Sequence, residues 1–339
     1  MPTNIPLSVL DLSFVREGES PREALLDSLT LARQAERLGF KRFWMAEHHN
    51  MEGIASAATS VALAFIAGGT ESIRVGAGGI MLPNHSPLVI AEQFGTLEAL
   101  YPGRIDLGLG RAPGTDRLTA RALRRNLDAG PMDTFPQDVQ ELQMYFGDAV
   151  PNQAVQAVPG VGLHVPIWLL GSSLYSAQLA AHLGLPFAFA SHFAPELLYR
   201  ALDIYRREYR PSAEWPKPHA MAAANVVVAE TDEEAYNLFS SARIGVWNLG
   251  KGKRGKMQPP IVDVDAHWTP EEHEFVDGFL SCSFVGSPKS VRADLEEFAE
   301  QTRADEIMVT ARIFDLDARL KSLELLAECW AGQSLVNFA

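Results

Sequence analysis

The chain has 339 residues, of which 47% are hydrophobic and 21% charged, so it holds enough apolar material for a large buried core. Its net charge of −13, from 42 acidic and 29 basic residues, argues against nucleic acid as a general partner, because a phosphate backbone needs a basic surface. Two cysteines, no signal peptide and no apolar stretch long enough to span a bilayer argue against a disulfide framework or a membrane protein and favour a cytoplasmic location.

Apolar runs alternate with stretches of helical periodicity along most of the chain. Ser20 is the predicted N-cap of the first helix, with Pro21 and Glu23 at its first and third positions. Eight apolar runs, each paired with a helical stretch, predict parallel strands over residues 5–12, 40–48, 73–82, 104–110, 166–171, 187–191, 220–229 and 305–313. This pattern favours an α/β fold, a (β/α)8 TIM barrel formed by one domain over residues 1–339, rather than a doubly wound sheet.

Two segments interrupt the alternation and are predicted to be insertions after strands 4 and 7. Residues 111–165 are rich in Arg, Asp, Pro and Gly and hold one clear helix, over 136–146. The second insertion spans about 245–287 and begins with a Gly- and Lys-rich stretch, 245–260, that lacks periodicity. That stretch is either a mobile surface loop or a lid over the barrel mouth.

The sequence Glu47-His48-His49 follows a buried apolar run at the point where the second strand opens into a loop. The C-terminal strand ends of a barrel carry its chemistry, and an imidazole titrates near working pH, so one histidine is predicted to transfer protons. Successive strand residues face opposite sides, which argues against a metal site built from both. Alternation alone does not say which histidine is functional, and both could be ordinary strand-end residues.

Two further strand ends are predicted to bind an anion. The loop after the fourth strand is not a dinucleotide fingerprint, because Pro113 stands where the third glycine is needed. It instead presents Arg111 between glycines, which is either a phosphate contact or a surface arginine in a turn. Gly171-Ser172-Ser173 joins a strand to a helix, where hydroxyls and free N–H groups can bind an anion while also capping the helix.

The third predicted strand contains the pair Gly78-Gly79. Glycines inside a buried strand cost stability unless something must lie against the backbone, and a flat ring is one such group. His85 follows in the next loop, where a histidine is more often structural than catalytic.

Taken together, the motifs resemble those of the bacterial luciferase-like flavin monooxygenases, in particular the single-chain branch of that superfamily. The likeness extends over residues 7–330 and rests on the order and spacing of the motifs rather than on any one of them. The motifs that carry it are Glu47-His48-His49, Gly79-Ile80-Met81-Leu82-Pro83, Tyr101-Pro102-Gly103-Arg104, the 108–114 loop and Gly171-Ser172-Ser173.

The resemblance implies a monooxygenase that uses reduced FMN, supplied by a separate flavin reductase, and O2 to oxygenate a small organic substrate. A deazaflavin takes the place of FMN in a sister branch. By family likeness, His48 assists proton transfer, while Gly79 and Ile80 support the flavin ring and carry a non-proline cis peptide bond. The residues expected near the phosphate are Arg111, Gly171, Ser172 and Ser173.

The family is usually dimeric, and the small-residue helix at 55–69 with the helix at 87–100 fits a homodimer seam. Gly110 stands where true luciferases have a reactive cysteine, which argues against light emission. The predicted walls of the substrate pocket are Asp11, His49, His192, Trp247 and the 245–260 loop. Three alternatives stay open: a deazaflavin-dependent dehydrogenase, a flavin-binding protein without turnover, and a metal-dependent hydrolase.

Overall fold

A computed structural model describes residues 5–112, 117–123, 134–266 and 268–331. The strands are β1 (Leu7–Asp11), β2 (Arg42–Met45), β3 (Arg74–Met81), β4 (Ile105–Gly110), β5 (Ile167–Gly171), β6 (Phe187–Phe189), β7 (Ala220–Val228), β8 (Ser283–Gly286) and β9 (Glu306–Thr310). The helices are α1 (Pro21–Arg37), α2 (Thr59–Gly68), α3 (Pro87–Leu100), α4 (Arg117–Leu123), α5 (Phe135–Phe146), α6 (Leu174–Leu183), α7 (Leu198–Glu208), α8 (Asp232–Gly250), α9 (Pro270–Phe279), α10 (Pro288–Thr302) and α11 (Leu316–Ala331).

Strands β1 to β7 and β9 close into a parallel barrel. Neighbouring strands pair in chain order from β1 to β7, and β9 completes the ring between β7 and β1. Helices connect the strands along the outside, which confirms the predicted (β/α)8 barrel. Among the described residues, no helix is both long and apolar enough to cross a membrane.

The strands bury both faces, and alternate residues serve two separate cores. In β2, the side chains of Phe43 and Met45 pack outward under the helices, whereas Trp44 belongs to the cluster inside the barrel. Such doubly buried strands read as continuous apolar runs, so the sequence does not reveal which residues face inward. The interior cluster consists of Leu10, Leu12, Trp44, Ala46, Trp168, Ala188, Met221, Ala223 and Met308.

A buried ion network fills the N-terminal end of the barrel. Arg42 donates from Nε to Glu306 at 2.8 Å and from Nη1 to Asp106 at 2.7 Å. Both carboxylates are fully buried, and the Arg42 guanidinium also lies 4.7 Å from the ring centre of Trp168. Opposite charges and hydrogen bonds thus compensate the burial of all three ionic groups.

Strand β8 was not predicted. Its four residues pair with Asn225–Val228, the second half of the long strand β7, whose first half pairs with β6 and β9. Four residues next to a polar loop give too short a pattern to stand out from the sequence.

Several predicted boundaries also shift. Helix α8 continues to Gly250, so the segment predicted as a loop from 245 begins as helix. The small-residue helix begins at Thr59 rather than at 55, and β2 ends at Met45, before the Glu-His-His sequence. The predicted 111–165 insertion contains α4 and α5, while its stretches 113–116 and 124–133 lie outside the described residues.

Candidate active site

His48 lies at the C-terminal mouth of the barrel and lines a cavity of about 630 Å³. Although β2 has ended, the alternation of Trp44 and Ala46 continues, so His48 faces the interior. Its Nδ1 is buried and has no hydrogen-bond partner among the described residues. Burial, with the nearby charge of Arg312, lowers the pKa of His48 to about 4, while Glu47 opposes the shift. The imidazole is therefore neutral at pH 7 and has a nitrogen available to a ligand.

Two residues of other strand ends lie beside His48. His192 follows β6 and is 7% exposed, and its buried Nδ1 also lacks a hydrogen-bond partner within the described ranges. Arg312 follows β9, lines the cavity and interacts electrostatically with both histidines. Asn225 fixes the loop of His192 by donating from Nδ2 to the His192 carbonyl at 2.7 Å. The mouth thus brings the Arg312 guanidinium close to two imidazoles.

His48 and His192 were predicted at this mouth from the sequence, whereas Arg312 was not. The apolar run of β9 ends at Thr310, and Arg312 is the second residue after it. Arg312 follows its strand as closely as His48 follows β2. This position after a strand end is the feature from which it could have been predicted.

We expect acid to destabilise the fold through His192. Burial, with the charges of Arg312 and His48, lowers the pKa of His192 from 6.5 to about 3. Because the folded pKa is the lower one, the stabilisation is complete above the unfolded pKa and is lost as the pH falls below it. From pH 7 to pH 5 this residue should cost about 2 kcal/mol. Urea unfolding of wild type and His192→Leu at both pH values measures the difference.

The His192→Leu protein should lose less stability on acidification than the wild type. His182→Leu is the control, because His182 lies in the last turn of α6 on an exposed surface. Equal acid sensitivity of His192→Leu and wild type would contradict the prediction.

Glu47 organises a hydrogen-bonded group behind His48. Its carboxylate accepts from His49 Nε2 at 2.6 Å, from His85 Nε2 at 2.9 Å and from the Met81 amide at 3.0 Å. Burial would raise the pKa of Glu47, but the hydrogen bonds and charge of its histidine partners outweigh it and lower the pKa. The three side chains offer ligand atoms within 4.8 Å of one another. We assign them a positioning role, because hydrogen bonds within the group already engage them.

The end of β3 borders this group. The peptide bond between Gly78 and Gly79 is cis, one residue earlier than the Gly79-Ile80 position implied by the family resemblance. The Gly79 carbonyl accepts from the Glu47 amide at 3.3 Å, which ties the end of β3 to the loop of His48. A Cβ added to Gly79 would come within 2.6 Å of the Gly108 carbonyl oxygen, so no side chain fits there. Ile80 is buried in the outer core, so its backbone rather than its side chain faces the mouth.

The two segments predicted to bind an anion, at Arg111 and at 171–173, lie close together. The Arg111 guanidinium lies 4.2 Å from the ring centre of Tyr175, in the first turn of α6. Ser173 is the extended N-cap residue of that helix, and Ser172 precedes it, half-buried. A Cβ at Gly171 would come within 2.2 Å of the Ser176 hydroxyl oxygen, which explains the glycine. The structure therefore places an exposed cation beside a helix N-terminus.

Asp11 is not a pocket wall. Along β1 the side chains of Leu7 and Val9 face the outer core, and Asp11 continues that face. It is fully buried, accepts from Arg319 Nη2 of α11 at 2.8 Å and bonds Ser28 of α1. These contacts hold two helices to the barrel, so we assign Asp11 a structural role.

His49 and Trp247 also face away from the cavity in the part of the chain that the structure describes. His49 points to Glu47, as alternation from His48 requires. Trp247 stacks on Trp268 with ring centres 5.8 Å apart. The neighbouring α8 residues Gly245 and Asn248 line the cavity instead, together with residues 253–258.

Comparison with known proteins gives a consistent result. Residues 5–306 match the family model described as luciferase-like monooxygenase. A protein of Escherichia coli strain K12 named luciferase-like monooxygenase is 55% identical over 95% of this chain and 96% of its own length.

Two further proteins are similar to this chain, one named for its activity and one with a solved structure. N-acetyl-S-alkylcysteine monooxygenase of Bacillus subtilis strain 168 is 39% identical over 68% of this chain and 70% of its own length. The crystal structure of apo-MsnO8 has a TM-score of 0.89 and 37% identity, and the match covers 97% of this chain and 99% of that one.

Proposed function

Since the chain belongs to the luciferase-like monooxygenase family, we propose that it is a flavin-dependent monooxygenase. Reduced FMN and O2 would convert an organic substrate to its oxygenated product, with oxidised FMN and water as the other products. The observation that carries this proposal is the neutral His48, whose unpaired Nδ1 is buried at a barrel-mouth cavity of about 630 Å³.

The residues at the mouth fit a flavin mononucleotide. Arg111 and the N-terminus of α6 at Ser173 supply cation and N–H donors for a phosphate. Gly78 and Gly79 have no side chain to exclude a ring, and the Gly79 carbonyl accepts from the amide of Glu47, next to His48. Apolar side chains dominate the inner cavity wall: Leu12, Phe14, Met51, Ile54, Phe193 and Phe279.

The protein's own part in the reaction is to bind, to exclude water and to handle protons. FMN, when bound, supplies the redox chemistry with oxygen. The apolar wall keeps water from the reacting groups. His48 can accept or return a proton at Nδ1, and Glu47 orients the surrounding loop through the Met81 amide and two other histidines.

We propose that reduced FMN comes from a separate reductase. The glycine-rich segments that begin at Gly76 in β3 and at Gly108 in β4 lack the third glycine of a dinucleotide fingerprint, with Met81 and Pro113 at those positions. For the substrate, the apolar cavity and the name of the Bacillus subtilis relative favour a small organic molecule such as a thioether.

The experiment that tests the function is a titration of the purified protein with FMN, reduced FMN and reduced deazaflavin. We expect reduced FMN to bind most tightly and Arg111→Ala to weaken that binding about tenfold or more, because a charge-assisted hydrogen bond to phosphate is lost. Arg207→Ala is the matched control, since its side chain is 67% exposed on α7, outside the mouth.

Other outcomes of the titration point elsewhere. Preference for deazaflavin without reaction with oxygen would favour a dehydrogenase on the same barrel. Binding without turnover of any tested substrate would favour a flavin-binding protein, and binding of no flavin would overturn the proposal.

We also propose a homodimer formed through α2 and α3. Four hydrophobic side chains are exposed on these adjacent helices, namely Val61 (70%), Phe65 (44%), Val89 (44%) and Leu100 (63%). A large exposed apolar patch marks a protein–protein interface, and exposed side chains on two adjacent helices can form one. We expect light scattering after gel filtration to give twice the 37.1 kDa chain mass and Val61→Glu to yield monomer. Tyr236→Glu, on the exposed face of α8, is the control, and a monomeric wild type would contradict the proposal.

A further inference from the structure

Arg312 carries a positive charge at the barrel mouth that the described carboxylates do not neutralise. It lines the cavity, and its Nε is buried with no hydrogen-bond partner in the part of the chain that the structure describes. Its guanidinium lies 5.4 Å from the ring centre of Phe14, an apolar neighbour. Burial alone lowers its pKa to about 10, the direction expected for a cation taken from water without a compensating anion.

The charged residues around Arg312 leave the cavity with a net positive charge. His48 and His192 are neutral at pH 7 and therefore bring no negative charge. Among the described residues that line the cavity, Lys253, Arg254 and Lys256 are basic like Arg312, and the exposed Glu17 is acidic. These basic side chains would attract an anion into the cavity.

We propose that Arg312 binds the carboxylate of the substrate, so that the enzyme oxygenates an apolar organic acid. The proposal deepens the monooxygenase function above and rests on it. Arg312 is partly buried, and a guanidinium that has lost water at Nε without gaining an anion points to a ligand of opposite charge. A guanidinium can pair two N–H groups with the two oxygens of a carboxylate, while the apolar side chains that line the cavity accept the rest of the molecule.

The test measures binding to the purified protein without FMN, so that it does not depend on turnover. The probes are N-acetyl-S-benzylcysteine and phenylacetate, each compared with its neutral carboxamide by isothermal titration calorimetry. We expect each acid to bind more tightly than its amide, and Arg312→Gln to weaken acid binding by about tenfold to a hundredfold while leaving the amides unchanged. Arg312→Lys should fall between, because an ammonium cannot form the paired contact. Arg207→Gln, far from the mouth, should behave as wild type.

Thermal unfolding separates ligand binding from a structural role. If Arg312 awaits an anion, Arg312→Gln should raise the melting temperature of the free protein, and the acids should stabilise wild type but not the variant. Equal or undetectable binding of acid and amide to wild type, or a lower melting temperature in both Arg312 variants without loss of acid binding, would overturn the inference. The FMN titration decides the proposed function separately.

Discussion

His48→Ala should lower product formation by about 10²- to 10⁴-fold, the range that a positioned acid–base group contributes. The imidazole lines the cavity, is neutral at pH 7 and has an unpaired Nδ1, so its removal leaves the mouth without its proton-transfer group. The measurement is oxygenated product formed per reduced FMN consumed, with the best substrate from a panel of thioethers and aldehydes. FMN binding should change little, because the predicted phosphate contacts lie at Arg111 and Ser173.

His49→Gln is the matched control for this prediction. Its imidazole bonds Glu47 and faces away from the cavity, so the loss of activity should be much smaller. If the two variants lost the same activity, or if His49→Gln lost more, the assignment of proton transfer to His48 would be wrong.

Arg42→Met should destabilise the protein by up to about 3–5 kcal/mol, because the buried carboxylates of Asp106 and Glu306 lose their shared cation while keeping Arg74 and Lys41. Burial would raise the pKa of Glu306, but His219, Arg42 and Lys41 lower it to about 2. That stabilisation is complete above the usual glutamate pKa and is lost as the pH falls towards the folded value. Urea unfolding at pH 7 gives the free energy of unfolding.

Lys41→Met tests whether the loss of stability depends on burial of the ion pair or on charge pairing alone. Lys41 contacts the same Glu306 at 3.1 Å, but its side chain is 37% exposed, so its loss should cost at most about 1 kcal/mol. Adding Glu306→Gln to Arg42→Met should restore part of the stability. A small loss in Arg42→Met, or no recovery in the double variant, would show that the network is not coupled as the distances indicate.

Strand and helix alternation made the barrel predictable, because eight apolar runs are separated by helices with clear periodicity. Side-chain direction was not predictable from the same pattern. Asp11 is the last residue of an apolar strand, and Glu47 follows shortly after one. The Asp11 side chain nevertheless faces the helices rather than the mouth. Since both faces of a barrel strand are buried, hydrophobic alternation cannot distinguish them.

Site residues were predictable where the residue type was unusual for its position. Two adjacent histidines after an apolar run attract notice, whereas a single arginine after β9 does not, although Arg312 lines the same cavity. Trp247 was predicted on a loop, but it lies on α8, where one helix face meets the cavity and the other meets Trp268. Which face a helical residue occupies depends on tertiary packing, which the loop prediction did not include.

The double use of β7 has a consequence for engineering. The first half of β7 pairs with β9 and closes the ring, whereas its second half pairs with β8. The chain therefore pairs with the barrel again at Ser283–Gly286 before it enters α10. The described residues of the intervening stretch, 251–266 and 268–282, supply Lys253–Gln258 and Phe279 to the cavity lining and add no strand to the ring. Grafting this stretch from one relative into another should therefore change the part of the cavity that it lines, while the host barrel keeps His48 and Arg312.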